Sequence, residues 1–427
     1  MAQVLRNKRI VVGVCGGIAA FKVVEVVSQL QKAGALVDVI MTERASEFVS
    51  ALSFGSLSHR PVYQDLWEPS GQAAAQHIEL ARQAHLLVVA PATANTIAKL
   101  AHGLADSMLG AVALATTAPL LIAPAMEHHM YRHPATQANL TLLRERGAII
   151  IEPEVGVLAS GEVGAGRLPE PSTLVQAIRQ ALGRGGPLAG RRVVVTAGGT
   201  QEPIDPVRYV GNRSSGLMGY AIAEEARDRG ADVVLISGPV SLPALYGVEL
   251  TRVRTALEMR TEVLRALGLE SRESGQKAGD GQQGADALVM AAAVADYRID
   301  HPAAEKMKKE PGAGGITLTL VRNPDILHDV DEAHRHAGPR AGRLVRVGFA
   351  AETTNLEAYA RAKLAAKGLD FLVANDVSRA DSGFGTTTNK VWLLHRDGQV
   401  EDLAVLPKEE VAGLIWDRVQ ALLAGGL

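Results

Sequence analysis

Cysteine is almost missing from this 427-residue chain: Cys15 is the only one. A single thiol excludes an intramolecular disulfide and fits a reducing compartment. An excess of charge is missing too. Lys and Arg number 44 against 46 Asp and Glu, a formal net charge of −2. That balance supplies neither a global basic surface for nucleic acid nor an acidic tail, so a phosphate-bearing ligand has to be held locally. The first residues, Met-Ala-Gln-Val-Leu-Arg-Asn-Lys-Arg, reach charge before an apolar segment forms, and no signal peptide is expected. Long apolar runs are lacking with one exception, Leu109 to Met126, 18 residues without a charge. That is the nominal length of a spanning helix, but Pro119 would break it near the middle. A buried helix followed by a short strand, Leu120–Ala123, reads better. A soluble, cytoplasmic protein is expected.

What the chain does have is two glycine-rich turns, each entered from a β-like run and each opening a helix. The first is Arg9-Ile-Val-Val-Gly-Val-Cys-Gly-Gly-Ile-Ala-Ala-Phe-Lys22, the second Arg191-Arg-Val-Val-Val-Thr-Ala-Gly-Gly-Thr200. Such a turn lets the backbone approach a phosphate, which the helix N-terminus then stabilises. The first does not match G-x-G-x-x-G, and no clear acidic residue closes the second strand, so a dinucleotide site is disfavoured there. Two differently framed turns predict two sites.

The length favours two or three domains at about 100–200 residues each. Leu182-Gly-Arg-Gly-Gly-Pro-Leu-Ala-Gly190 reads as the junction, with residues 183–190 as linker between domains 1–182 and 191–427. Strands are expected at Arg9–Val14, Leu36–Met41, Leu86–Ala90, Leu120–Ala123 and Ala148–Glu152, with a helix over Ile18–Ala33. After the junction the pattern restarts, with strands at Arg192–Thr196, Asp232–Ser237, Ala287–Ala291, Arg346–Ala350, Phe371–Ala374 and Val391–His395. The expected fold class is α/β: two Rossmann-like domains, the first flavodoxin-like or doubly wound, and without a residue-level repeat the two read as unrelated. In the helix Leu217–Arg229, Leu217, Ala221, Ile222 and Ala226 are expected to face inward and Glu224, Glu225, Arg227 and Asp228 outward. Ser271 to Gly284 is polar and glycine-rich and reads as a surface insertion.

Three more segments of the first domain fall at strand ends: Ala90-Pro-Ala-Thr-Ala-Asn-Thr-Ile97, Ala123-Pro-Ala-Met126 and, at a helix start, Gln76-His77. Together GGIAAFK, QHIELA, APATANTIAKLAHGLAD, APAM and GAGRLPEP make residues 9–180 resemble the flavin-dependent cysteine decarboxylases, specifically the phosphopantothenoylcysteine decarboxylase half of the bifunctional coenzyme A biosynthesis proteins. The resemblance implies bound FMN, cradled by Gly16, Gly17, Thr42, Thr93, Asn95 and Asp106, with His77 as catalytic base. It also implies that flavin oxidation of the cysteinyl thiol puts the departing carboxylate β to a C=S group, which serves as the electron sink. Two positions depart from the family pattern. Glu127 stands where asparagine is usual after the methionine of PAM, and Ser160 where the clamp loop usually carries cysteine. An ionised Glu127 accepts but cannot donate; either Ser160, Cys15 or water supplies the last proton, or the closing step differs. His129 and His133 have the i, i+4 spacing of metal ligands, but no third ligand is evident in sequence, and the bland reading is preferred. Asn212-Arg-Ser214 matches a glycosylation sequon without meaning in a cytosolic protein.

The second domain carries Ala197-Gly-Gly-Thr200 to Arg208, Gly211-Asn-Arg-Ser-Ser-Gly-Leu-Met-Gly219, Met290-Ala-Ala-Ala-Val-Ala-Asp296, a lysine cluster at 306–309, Asn323-Pro-Asp-Ile326 and Val347-Gly-Phe-Ala-Ala-Glu-Thr353. These resemble the phosphopantothenate–cysteine ligase half of the same family, over residues 191–420. The resemblance implies CTP as substrate, an acyl-cytidylate intermediate, and Mg²⁺ bound mainly through the nucleotide to offset like charges. It carries Lys306 into the cytidylation step and Asn212 onto the acyl-cytidylate. Gly198, Gly199, Ala292, Asp296, Pro324, Asp325, Ile326, Leu327, Phe349, Lys363 and Lys367 fall around the nucleotide. The partners implied are 4'-phosphopantothenate, cysteine and CTP, with trimeric decarboxylase units and dimeric ligase units compatible with a dodecamer. Two other readings stay open: a first domain that binds flavin without completing decarboxylation, and a two-domain NAD dehydrogenase.

Overall fold

A computed structural model describes residues 3–67, 76–269, 284–308, 315–338, 342–352, 364, 366–376, 382–383 and 385–425. Most of the insertion expected at 271–284, and Lys363, lie outside these residues. The chain divides into two compact units, Met1–Arg184 and Gly185–Leu427.

The first unit alternates β1 (Arg9–Val14), α1 (Ala20–Lys32), β2 (Leu36–Met41), α2 (Ala51–Ser58), β3 (Val62–Tyr63), α3 (Gln76–Gln83), β4 (Leu86–Ala92), α4 (Ala94–His102), α5 (Met108–Ala115), β5 (Leu120–Pro124), α6 (His128–Arg132), α7 (Pro134–Glu145) and β6 (Ile149–Ile150). The hairpin of β7 (Glu154–Val157) and β8 (Val163–Arg167) follows, and α8 (Pro171–Gly183) ends the unit. The parallel sheet runs β3-β2-β1-β4-β5-β6. Of the doubly wound orders this is the Rossmann one, 3-2-1-4-5-6, not the flavodoxin 2-1-3-4-5. Strands buried on both faces explain the unbroken apolar runs: Val11, Val12, Val39, Ile40, Leu87 and Val88 are all inaccessible to within 1%. Helix α1 forms despite its valines because Val23, Val26, Val27 and Leu30 make one buried stripe, and Gly34 at φ 89° ends the run. The uncharged run from Leu109 resolves into α5, buried through Met108, Leu109 and Val112, and then β5. Among the described residues no helix is long and apolar enough to cross a membrane.

The second unit begins β9 (Arg192–Ala197), β10 (Gln201–Pro203), β11 (Tyr209–Gly211), α9 (Leu217–Asp228), β12 (Asp232–Ser237), β13 (Glu249–Arg252), α10 (Ala256–Ala266), β14 (Ala287–Met290). It continues with β15 (Tyr297–Ile299), β16 (Leu320–Arg322), α11 (Ile326–Ala337), β17 (Val345–Glu352), β18 (Phe371–Asp376), β19 (Thr388–Asn389), β20 (Val391–His395), β21 (Val400–Asp402) and β22 (Leu406–Pro407), and closes with the helix Lys408–Leu423. Its main sheet runs β13-β12-β9-β14-β17-β18-β20-β21, parallel as far as β18 and antiparallel beyond. Counted within the unit, its parallel part again has the order 3-2-1-4-5-6. The two units share a topology that their residues do not reveal.

One orientation departs from expectation. In α9, Glu225, Arg227 and Asp228 are buried rather than outward. Arg227 donates to Asp228 at 2.7 Å and to the carbonyl of Tyr246 at 2.9 Å. Arg229, just past the helix, donates to Glu225 at 2.9 Å, to Asp417 at 2.7 Å and to the carbonyl of Gly413 at 2.9 Å. These bonds bind α9 to the C-terminal helix, where Trp416 is fully buried and its indole donates to the carbonyl of Ile222 at 2.8 Å. Paired and hydrogen-bonded in this way, the charges can be buried.

Both sheets are clasped at the amino-terminal edge by an arginine that opens the first strand. Arg9 meets the fully buried Asp38 of β2 at 2.6 Å, and Arg60 meets its other oxygen at 2.6 Å. Arg192 meets Asp232 of β12 at 2.6 Å.

Candidate active sites at two sheet edges

In each unit the strand order reverses between the first and fourth parallel strands, β1 and β4 or β9 and β14. The carboxyl ends at such a reversal diverge and leave a crevice. Each unit has a large cavity there.

The cavity of the first unit, about 880 Å³, is lined by Gly16, Thr42, Thr93, Asn95 and Asp106. The sequence reading named all five. At Gly16 the backbone is closely packed: a Cβ there would stand 2.5 Å from Cβ of Arg44 and 2.9 Å from its backbone carbon. Gly17 is not among the lining residues and has open space beside it. Thr93 caps α4 by accepting the N–H of Thr96 at 3.3 Å, and Ser107 caps α5 by accepting that of Gly110 at 3.2 Å. Both caps line the cavity, so two helix N-termini open onto it, a setting that favours an anion. Lys99 and Asp106 are paired at 2.7 Å on its rim. Cys15 is buried, and burial, only partly offset by hydrogen bonds with Thr96 and Thr93, pushes its thiol pKa up. It packs, as a neutral thiol does.

Sequence reasoning missed Glu43, Arg44, Gln64, Asp65 and Trp67, which also line this cavity. Glu43 follows β2 by two residues, so an acidic side chain does stand beyond that strand end, contrary to the reading from spacing. His77 is half-buried in the first turn of α3 and does not line the cavity. Nor do Glu127 and Ser160. Ser160 is exposed in the turn between β7 and β8. Glu127 caps α6, its Oε2 accepting the N–H groups of His129 at 2.8 Å and Met130 at 3.2 Å. Burial would raise the Glu127 pKa, but those N–H groups and the neighbouring histidines outweigh it and hold the carboxyl below its usual value. It is therefore an ionised acceptor. His133 is a cap rather than a metal ligand partner of His129: its Nδ1 accepts the N–H of Ala135 at 3.2 Å.

The second cavity, about 870 Å³, is lined by Asn212, Ala292, Asp296, Phe349, Lys367 and the run Pro324 to Leu327. The backbone around it is pinned by the glycine turn. Ala293 donates to the carbonyl of Gly198 at 2.8 Å, Thr196 Oγ1 accepts from Ala292 at 3.1 Å, and Thr200 Oγ1 accepts from Ala295 at 2.9 Å. Gly198 and Gly199 hold this backbone and are not among the lining residues. A Cβ at Gly199 would lie 2.5 Å from the carbonyl oxygen of Asn212. Asn212 in turn donates to the carbonyl of Val294 at 3.0 Å. Asp325 caps α11, accepting the N–H of His328 at 3.3 Å, and pairs with Lys367 at 3.1 Å. The N-termini of α9 and α11 both face this cavity.

Lys306 is exposed and does not line the cavity. Its chain neighbour Met307 is tied down, however: the N–H donates to Asp205 at 3.3 Å and the carbonyl accepts from Arg208 at 2.6 Å. The site residue that sequence least suggested is Lys408. In a Lys-Glu-Glu helix start it looks solvated, yet it is buried, lines the cavity, and donates to the carbonyls of Gly383 at 3.1 Å and Thr386 at 2.5 Å. Burial lowers its pKa.

Residues 2–183 match the family model described as Flavoprotein, and residues 188–423 that of the DNA/pantothenate metabolism flavoprotein C-terminal domain. The chain is 44% identical over 421 residues to the coenzyme A biosynthesis bifunctional protein CoaBC of Bacillus subtilis, covering 98% of both chains. It belongs to that bifunctional family. The corresponding protein of Escherichia coli is 42% identical over 417 residues, covering 97% of both. A crystal structure of the C-terminal domain of a CoaBC protein shares 35% identity, with a TM-score of 0.43, over 56% of this chain and 99% of that one. The chain is accordingly a bifunctional enzyme of coenzyme A biosynthesis, a decarboxylase joined to a ligase, and the dehydrogenase reading falls.

Proposed function

We propose that the second unit joins 4'-phosphopantothenate to cysteine at the expense of CTP, and that the first decarboxylates the product to 4'-phosphopantetheine with FMN. The observation that carries this is the coincidence of family motif and cavity. Asn212, Asp296 and Asn323-Pro-Asp-Ile326 line one crevice, and Gly16, Thr93, Asn95 and Asp106 the other.

The first cavity fits a flavin phosphate: Gly16 leaves room for close backbone approach, and the capped starts of α4 and α5 face the same space. FMN, when bound, supplies the oxidation that makes the substrate's carboxylate a leaving group. The chain's own residues position and protonate. His77 acts as base, and Thr42, Thr93, Asn95 and Asp106 orient the cofactor, with Gly17 in the turn beside them. Glu127, held as an acceptor, orders α6 instead of donating to a substrate carboxylate, and Ser160 delivers the closing proton.

In the second unit Lys306 serves cytidylation from the segment fixed by Asp205, and Asn212 holds the acyl-cytidylate. Lys363, Lys367 and the N-terminus of α11 attract the triphosphate, whose charge Mg²⁺ shares, bound mainly through the nucleotide. Small-molecule substrates in the cytoplasm complete this reading. Homo-oligomeric assembly, with trimeric decarboxylase units and dimeric ligase units, belongs to the same reading. The test is incubation of the purified chain with phosphopantothenate, cysteine, CTP and Mg²⁺. Pyrophosphate, carbon dioxide and phosphopantetheine are expected in equal amounts; pyrophosphate without carbon dioxide from a flavin-loaded sample overturns the decarboxylase half.

A further inference from the structure

Glu127, His128 and His129 are consecutive at the start of α6, and Glu162 sits at the tip of the β7–β8 hairpin. One ligand atom of each lies within 4.8 Å of all the others. Oε1 of Glu127 is 2.6 Å from Nδ1 of His128 and 3.0 Å from Nδ1 of His129. Oε2 of Glu162 is 3.4 Å and 3.9 Å from the same two nitrogens. The edge of a tetrahedron built on bonds of about 2.1 Å is about 3.4 Å, so these separations bracket it.

A second, independent observation points into the cluster. Nδ1 of His128 is buried and forms no hydrogen bond among the described residues, although Oε1 of Glu127 lies 2.6 Å away. A buried ring nitrogen that faces two carboxylates without forming a hydrogen bond fits an ion held among them. The close approach is also built into the backbone: a Cβ at Gly164 of β8 would stand 2.6 Å from Cβ and 3.2 Å from Nδ1 of His128. Only glycine lets the hairpin lie this near. Finally, Oε2 of Glu127 is engaged by the helix N–H groups while Oε1 is turned to the histidines, which divides capping from ligation within one carboxylate.

We propose that Glu127, His128, His129 and Glu162 bind one divalent transition-metal ion of the zinc type. Two imidazoles and two carboxylates suit zinc or cobalt; magnesium and calcium prefer oxygen alone. None of the four residues lines the FMN cavity. The ion would tie the hairpin tip to α6 and fix the turn that carries Ser160. The i, i+4 pair His129 and His133 is not the site, since His133 is used as a cap.

The experiment uses the full chain, stripped with chelator and titrated with Zn²⁺ by calorimetry and with Co²⁺ by visible absorption to the red of the flavin bands. One equivalent per chain is expected, with the intense absorption of tetrahedral cobalt. Side chains of His129 and Glu162 are 73% and 56% exposed, so His129→Ala and Glu162→Gln should fold, which retained flavin and far-ultraviolet dichroism will verify. Each should weaken binding at least tenfold, and His133→Ala should leave it unchanged. Zn²⁺ should raise the Tm of the parent and not of the first two variants. Substoichiometric binding by the parent, binding that survives both substitutions, or an equal loss in His133→Ala overturns the assignment.

Discussion

The carboxylate of Asp205 reaches 3.3 Å to the backbone N–H of Met307, the residue next to Lys306. It also accepts the N–H groups of Val207 and Arg208, each at 2.8 Å. A buried turn thus holds the segment that carries an exposed lysine. Asp205→Ala frees that segment. We expect ligase kcat to fall between roughly tenfold and a hundredfold, as misplacement of a reacting group does. Decarboxylation of supplied phosphopantothenoylcysteine should be unchanged. Pyrophosphate release and carbon dioxide release, measured separately, check this.

Lys306→Ala should abolish pyrophosphate release and leave the flavin spectrum and decarboxylation intact. Loss of both activities would show that the two sites do not work independently.

Gly16→Ala puts a methyl group where Cβ of Arg44 and its backbone already stand. The purified variant should lose flavin, seen as a fall in absorbance near 450 nm relative to 280 nm, while ligase activity persists. An equally yellow variant would remove Gly16 from the cradle.

Trp416→Ala opens a cavity beneath α9 and leaves the carbonyl of Ile222 without its indole donor. A loss of about 3–5 kcal/mol is expected, read from urea unfolding followed by far-ultraviolet dichroism. Trp416→Phe, which keeps most of the volume, should cost less.

Glu401 accepts Arg418 through both oxygens, at 2.8 and 2.6 Å, and meets His395 at 2.7 Å. Arg418 is the main cause, and His395 a further one, by which its pKa drops to about 2 against the opposition of burial. A carboxyl depressed on folding adds stability that is full above its unfolded pKa and fades as pH falls towards about 2. Urea midpoints between pH 5 and pH 2.5 should therefore fall less steeply for Glu401→Gln than for the parent, from a lower starting value at pH 5.

What could be read without coordinates follows from burial. Strands enclosed on both faces are mostly apolar, and β1, β2, β12 and β20 have the bounds expected from sequence. The β7–β8 hairpin escaped notice because Val155, Val157 and Val163 are exposed and glycines alternate with them. Helix α9 misled because periodicity assigns charge to water, whereas Arg229 satisfies its guanidinium on a helix far along the chain. Site residues beside glycines and strand ends were legible from chemistry at a turn. Lys408 was not, since a lysine buried against carbonyls looks in sequence like any other lysine.

The arginine clasps at the amino-terminal edges of the two sheets have a practical corollary. Arg9–Asp38 and Arg192–Asp232 sit at the opposite end of the strands from either crevice. Each sheet therefore has a working rim and a foundation, and the foundation is where a fluorophore, an affinity handle or a stabilising substitution can be added with the chemistry left alone.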